Sequence, residues 1–362
     1  MKKRLLGIFG EKLKFYKNKK VLITGHTGFK GSWLSSILNK FGANVFGYSL
    51  APNTKPNLFD IINIEKEISS FIGDIRNFNN LKNIVKDIDP EIVIHMAAQP
   101  LVIESYNNPR YTFETNVMGT VNIMECLKGS NVKSFLNVTT DKVYENKEWL
   151  WSYRENENLC GQDPYSNSKS CSELVTFSYK NSFFDEKDGI SISTARSGNV
   201  IGGGDFSKDR IIPDCVKFAE NNDIINVRNP NSIRPYQHVL DCLSGYLTLI
   251  EKQYNDTSFS GSYNFGPNDD DVIATGDLVS LFCDRWGDNQ SWTTEKNDLM
   301  DDFHEANYLK LDCSKAKSIL GWYPKWDIEI AIEKVVEWSK LYMNNGDIIS
   351  CINSQIDEYF FD

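Results

Sequence analysis

Apolar residues in this chain fall into short runs separated by longer stretches in which they recur every three or four positions. The runs Val21–Thr24, Asn44–Tyr48, Ser69–Gly73, Ile92–Met96, Phe135–Thr139 and Ile190–Ala195 carry β-branched and aromatic side chains and read as strands. Between them, Phe29–Phe41, Asn79–Ile88, Pro109–Lys128 and Asp163–Ser182 have helical spacing. Such alternation predicts an α/β fold: a doubly wound parallel sheet with helices on both faces and right-handed crossovers. From about Gly202 it gives way to shorter elements and loops rich in Gly, Asp, Asn and Pro. The expected organisation is a nucleotide-binding domain over residues 1–200 and a smaller substrate-binding lobe over 201–362, with later segments free to return to the first domain. No internal repeat, low-complexity tract or heptad pattern interrupts this reading.

The first strand runs directly into Thr24-Gly25-His26-Thr27-Gly28-Phe29-Lys30-Gly31-Ser32, and a helix pattern follows. Glycines at 25, 28 and 31 allow a tight turn, close approach of a pyrophosphate and close packing of helix on strand, with the helix N-terminus aimed at the phosphates. This makes the sheet Rossmann-type. A nucleoside-triphosphate loop is excluded by order, because Lys30 precedes Gly31 instead of following it. The second strand ends Gly47-Tyr48-Ser49, without the carboxylate that usually holds the ribose hydroxyls of NAD, so NADP is not excluded. Asp74, after the third strand, can hold the adenine amino group or cap its own turn.

Composition narrows the partners. The 362 residues are 41% hydrophobic and 24% charged, with a net charge of -10. Such an acidic chain is a poor binder of nucleic acid. The eight cysteines include no C-x-x-C pair, and their scatter fits reduced thiols in a cytoplasmic protein. The apolar run Leu5–Phe9 is too short for a signal peptide, so the start reads as an amphipathic leader. No run approaches the roughly 18 apolar residues that span a bilayer. Histidines 26, 95, 238 and 304 show no metal spacing, and no metal is expected.

Asp163-Pro164-Tyr165-Ser166-Asn167-Ser168-Lys169 sets a tyrosine and a lysine on one helical face, with Asp163 as N-cap and Pro164 as first helical residue. The helix start and the Lys169 ammonium are both expected to favour a Tyr165 phenolate. Upstream, Thr139-Thr140-Asp141-Lys142 ends a strand, where sheets of this kind collect their ligands.

With these motifs in order, the chain resembles the extended short-chain dehydrogenase/reductase family, and within it the nucleotide-sugar 4,6-dehydratases, their CDP-glucose branch above all. The resemblance lies in TGHTGFKGSWL at 24–34, HMAAQPLV at 95–102, TNVMGTVN at 115–122 and TTDKVYENKEWLWSYRE at 139–155. It continues in DPYSNSKSCSELV at 163–175, RSGNVIGGGDF at 196–206, RPYQHVLD at 234–241 and HEANYLKLDCSKAKSILGW at 304–322.

This resemblance implies a tightly held NAD recycled within each turnover. Its contacts would be Gly25, Thr27, Gly28, Phe29, Lys30, Gly31, Asp74, Ile75, Ala97, Ala98, Gln99, Asn116, Tyr165 and Lys169. It also implies that Tyr165 takes the proton of the sugar 4-hydroxyl, that Thr140 hydrogen-bonds the same oxygen, and that Asp141, kept protonated by burial, acts as acid toward the departing 6-hydroxyl. Lys142 stands where related dehydratases carry Glu, and is either the C5 base or the partner that orients Asp141. Asn199, Arg210, Arg228, Arg234 and His304 match positions that hold the diphosphate and nucleoside. Helices near 109–128 and 163–182 would pair across a two-fold axis into a homodimer. The competing readings are another nucleotide-sugar dehydratase, a 4-epimerase on the same scaffold, or a non-catalytic NAD-binding protein.

Overall fold

A computed structural model describes residues 14–184, 189–294 and 308–361. At its centre are seven strands: β1 (Lys20–Thr24), β2 (Asn44–Ser49), β3 (Ser69–Ile72), β4 (Ile92–His95), β5 (Ser134–Val138), β6 (Ser191–Ser197) and β7 (Ser262–Phe265). They pair in the order β7-β6-β5-β4-β1-β2-β3, every pair parallel. The order reverses between β1 and β4, and the crevice above that point is where open sheets of this class bind ligands. The first six strands match the sequence reading to within two residues at either end. β7 was not anticipated, because Ser262-Tyr263-Asn264-Phe265 is short, half polar and set among loops.

Burial follows the strand period of two. Val21 and Ile23 face one apolar cluster together with Ile37, Leu136 and Leu243, while Leu22 faces another with Leu81, Ile123 and Phe135. Helix Phe29–Lys40 packs in the first cluster; Phe78–Ile88 and Gly119–Leu127 pack in the second. The stretch expected as one helix from Pro109 is continuous but widens into a π turn at Glu114–Met118. Turns of this type tend to sit at functional sites.

Segments beyond residue 200 return to the sheet. Helices Val239–Asn255 and Ile348–Phe361 pack in the first sheet cluster, and β7 extends the sheet beyond β6. The smaller lobe has its own core, drawn from helices Ile211–Glu220, Thr275–Trp286 and Ile328–Met343 and the segment around Ile225 and Val227. The apolar start at Leu5–Phe9 lies outside the described residues. Among those described, no helix is long and apolar enough to cross a membrane, and no group of His, Cys, Asp or Glu is placed to hold a metal. The eight cysteines are unpaired thiols.

Candidate active site

The glycine-rich turn leaves β1 at the switch point. Gly25 has φ +81°, and a Cβ there would lie 2.8 Å from the Ala97 backbone nitrogen just beyond β4. A Cβ on Gly31 would lie 2.2 Å from the Gly25 carbonyl oxygen, so the first helix can sit this close to β1 only with glycine at 31. Gly28 differs: it is exposed, and a Cβ there would meet only the Gly25 carbonyl oxygen, at 3.5 Å. As N-cap of helix Phe29–Lys40 it supplies no side-chain cap to the first-turn N–H groups. Two glycines therefore make the turn, and the third leaves a helix start open to a diphosphate.

Around this cradle the anticipated contacts divide. Thr27 is buried and donates to the Leu50 carbonyl at 2.9 Å, while its hydroxyl lies 3.0 Å from Ser49 Oγ, tying the turn to the end of β2. Asp74 accepts from the Arg76 backbone N–H at 2.9 Å and from its guanidinium at 2.6 Å. This pairing holds the carboxyl below its usual range, and it is the turn-capping arrangement. Ile75 is buried beneath Gly119. Ala97 and Ala98 are half-buried after β4. Asn116, on the π turn, accepts from Gln99 N at 2.8 Å and donates to Gln99 O at 3.1 Å and to Ser168 Oγ at 2.8 Å. The Gln99 amide is likewise engaged within the protein, with Thr112 and Leu101. Asn116 thus clamps the loop after β4 to the helix that carries Tyr165.

That helix, Pro164–Phe183, begins as expected, with Asp163 accepting from Ser166 N at 2.9 Å. Tyr165 and Lys169 are both buried. Lys169 does not simply face the phenol: its ammonium donates to the Val138 carbonyl at the end of β5, 3.0 Å away. Burial, assisted by Lys30, lowers its pKa to about 7. Tyr165 moves the opposite way, pushed up to about 12 by burial, with Thr140 and Arg210 opposing the shift. Desolvation of the phenolate thus works against the expected help from the helix start and the lysine.

Thr140, two residues beyond β5, donates to Asp141 Oδ1 at 2.9 Å. Asp141 is 1% exposed, and its Oδ2 has no hydrogen-bond partner among the described residues. Burial raises its pKa against the pull of Lys142, Thr140 and Arg234, as a proton donor requires. Lys142 is half-buried beside it. Thr140, Asp141, Lys142 and Tyr165 line one cavity of about 790 Å³, whose wall also includes Phe29, Lys30, Asn199, Arg210, Arg228 and Arg234. Arg234 is buried, Arg210 pairs with Asp205 at 3.2 Å, and Arg228 lies exposed at the rim. His304 lies outside the described residues. The cavity is of a size that takes a small organic ligand, and it brings cations and proton-transfer groups together.

A family model described as GDP-mannose 4,6 dehydratase matches residues 22–335, a span that takes in both lobes and every site residue named above. The chain belongs to this dehydratase family. Among its relatives is the CDP-glucose 4,6-dehydratase of Salmonella typhimurium, 48% identical over 95% of this chain and 97% of that protein. The dTDP-glucose 4,6-dehydratase of Streptomyces antibioticus is 27% identical over 88% of this chain and 91% of its own length. Among solved structures, a UDP-glucose-4-epimerase from Stenotrophomonas maltophila superposes with a TM-score of 0.80 at 20% identity, covering 91% of this chain and all of that one. At that distance the likeness is one of fold.

Two features of this dehydratase-family site were not singled out as site residues from the sequence. Buried Glu173 and Arg196 pair at 2.9 Å and bind Thr139, Thr194 and Tyr144, bracing β5, β6 and the Tyr165 helix behind the cavity. Asp214 also lines the cavity, on a helix start without a motif.

Proposed function

We propose that this chain is a CDP-glucose 4,6-dehydratase, which converts CDP-D-glucose to CDP-4-keto-6-deoxy-D-glucose and water with NAD held in the site. The observation that carries the reading is the shared cavity of Tyr165 with the Thr140-Asp141-Lys142 triplet, Asp141 being buried and raised in pKa. Beside a hydride acceptor, an alcohol oxidation needs only a base such as the tyrosine; a proton donor next to it adds the means to expel a hydroxyl. The relative from Salmonella typhimurium, which bears this name, supports the choice of substrate.

The turn geometry fits NAD: Gly25 and Gly31 clear the approach and Gly28 leaves the helix start open. Gly25, Thr27, Gly28, Phe29, Lys30 and Gly31 would hold the phosphates and the adjoining ribose, with Ile75, Ala97, Ala98 and Lys169 along the remainder. When bound, NAD supplies a hydride acceptor, a positive ring charge and the later hydride donor. Tyr165 takes the proton of the sugar 4-hydroxyl, and Thr140 holds that oxygen. The ketone formed at C4 acidifies the hydrogen at C5, which Lys142 removes. Asp141 protonates the departing 6-hydroxyl, which leaves as water; as the hydride returns to C6, C5 regains a proton from Lys142 or solvent, and the proton left on Tyr165 matches the one Asp141 has given. Asn199, Arg210, Arg228 and Arg234 are assigned to the diphosphate and nucleoside, where arginine forks suit phosphate oxygens.

Assembly follows from what the helices leave uncovered. Met118, Leu174 and Phe177 are 49%, 53% and 68% exposed, and we assign this apolar stripe to a homodimer built on helices 109–127 and 164–183. Unpaired thiols support a reducing, cytoplasmic setting.

The test uses CDP-glucose carrying deuterium at C4. The label is expected at C6 of a 4-keto-6-deoxy product; retention at C4 would sink the reading.

A further inference from the structure

Asp214 is the one acidic residue in the first turn of helix Ile211–Glu220. It is half-buried and lines the cavity shared with Tyr165. Among the described residues, none donates a hydrogen bond to its carboxylate; Arg228 and Lys217 act on it only through their charge. Its flanking residues Ile212 and Cys215 are packed into the smaller lobe, in the same apolar core as Ile225 and Val227 of the segment leading to Arg228. Asp214 and Arg228 therefore belong to the small-lobe end of the cavity. Thr140, Asp141 and Tyr165 form the sheet end. A nucleotide sugar reacting at the sheet end must extend its nucleoside toward the small lobe.

We propose that Asp214 reads the nucleotide base, accepting a hydrogen bond from the exocyclic amine of cytosine and so selecting CDP-sugars over UDP- and dTDP-sugars. The proposal rests on the dehydratase reading above and gives that reading its nucleotide specificity. Cytosine presents an amine donor at position 4 and acceptors at N3 and O2, whereas uracil and thymine present an acceptor at position 4 and a donor at N3. A carboxylate matches the cytosine amine, a pairing that recurs in base recognition. Against uracil or thymine the same oxygens would face a carbonyl, lone pair to lone pair. One residue thus supplies both attraction to the right base and repulsion of the wrong ones. Rejection of this kind is strong because the wrong base leaves desolvated polar groups unpaired. Burial and Asp209 raise the Asp214 pKa to about 6, which leaves the carboxylate the main form at neutral pH.

The experiment measures dissociation constants of CDP and UDP on NAD-loaded protein by titration calorimetry, together with kcat/KM for CDP-glucose and UDP-glucose. Wild type is expected to favour the cytidine compounds by about tenfold or more. Asp214→Asn keeps the size of the side chain and can turn its amide to suit either base, so its preference should fall to about threefold or less. Asp214→Leu should lose CDP affinity without gaining UDP. Wild-type preference for CDP-glucose that both variants retain within about twofold would overturn the Asp214 assignment alone. Wild-type preference for UDP-glucose would overturn that assignment and the CDP-glucose reading together.

Discussion

Tyr165 sits where two influences oppose each other: burial favours the neutral phenol, while Thr140 and Arg210 favour the phenolate. The tyrosine, its N-cap and the triplet at 140–142 were legible in the sequence because they lie in unbroken motifs. The balance of charges was not, because Arg210 reaches the phenol only through the fold. Asp74 shows the same limit in reverse: its position was open to a ligand contact or a turn cap, and in the fold Arg76, two residues on, bonds its carboxylate. If Tyr165 is the proton acceptor, Tyr165→Phe should lower kcat by about 10² to 10⁴-fold while leaving CDP affinity nearly unchanged. Wild-type kcat in that variant would remove Tyr165 from the role. Lys142 shares the cavity and acts on Asp141 through its charge. As C5 base, its replacement in Lys142→Met should slow deuterium entry from solvent at C5 more than it weakens substrate binding. Unimpaired deuterium entry would leave Lys142 as the residue that orients Asp141.

At the scale of elements, the strands were legible where burial on both sheet faces makes apolar runs nearly continuous, as in Ile92–His95. Ser262–Phe265 was not, since its hydrogen bonds go to β6, a strand more than sixty residues earlier. The helical spacing after Pro109 was also visible, but its π turn was not. That turn carries Asn116, whose amide joins the loop after β4 to Ser168 on the Tyr165 helix. The sequence reading made Asn116 a cofactor contact; in the fold its side chain also bonds both of these elements. Asn116→Ala would leave three buried polar groups without this partner and should destabilise the protein by about 2–3 kcal/mol, measurable by urea unfolding. Activity should fall with it, because the helix start that orients Tyr165 loses its anchor. A variant of unchanged stability would mean that the clamp is dispensable.

Closure of the whole molecule depends on contacts that no local pattern announces, and Asp241 is the clearest of them. From helix Val239–Asn255 it accepts from the Lys325 backbone N–H at 2.6 Å and from the Tyr359 hydroxyl at 2.6 Å, holding the turn before Trp326 and the last helix against the sheet. Burial raises its pKa to about 7 despite these donors, with Asp271 adding to the rise, and its Oδ2 has no partner among the described residues. The sign of the linkage follows. Above the unfolded value near 4 the native state binds the extra proton, so the stabilising contribution is complete below that pH and is lost as pH rises toward 7. Buried His26, His95 and His238, lowered to about 4, 3 and 3, act the other way, since the unfolded chain binds their protons up to about pH 6.5. Their opposing slopes hide Asp241 in any single pH–stability curve. Subtraction against Asp241→Asn removes them, because the histidines are common to both proteins and the asparagine mimics the protonated acid while keeping one acceptor oxygen. Between pH 5 and pH 8, wild type should therefore lose roughly 2 kcal/mol relative to Asp241→Asn. The measurement is urea unfolding of both proteins at the two pH values. Parallel pH dependence in the two would show that Asp241 stays ionised in the fold and that the hydroxyl of Tyr359 and the N–H of Lys325 suffice to hold its charge.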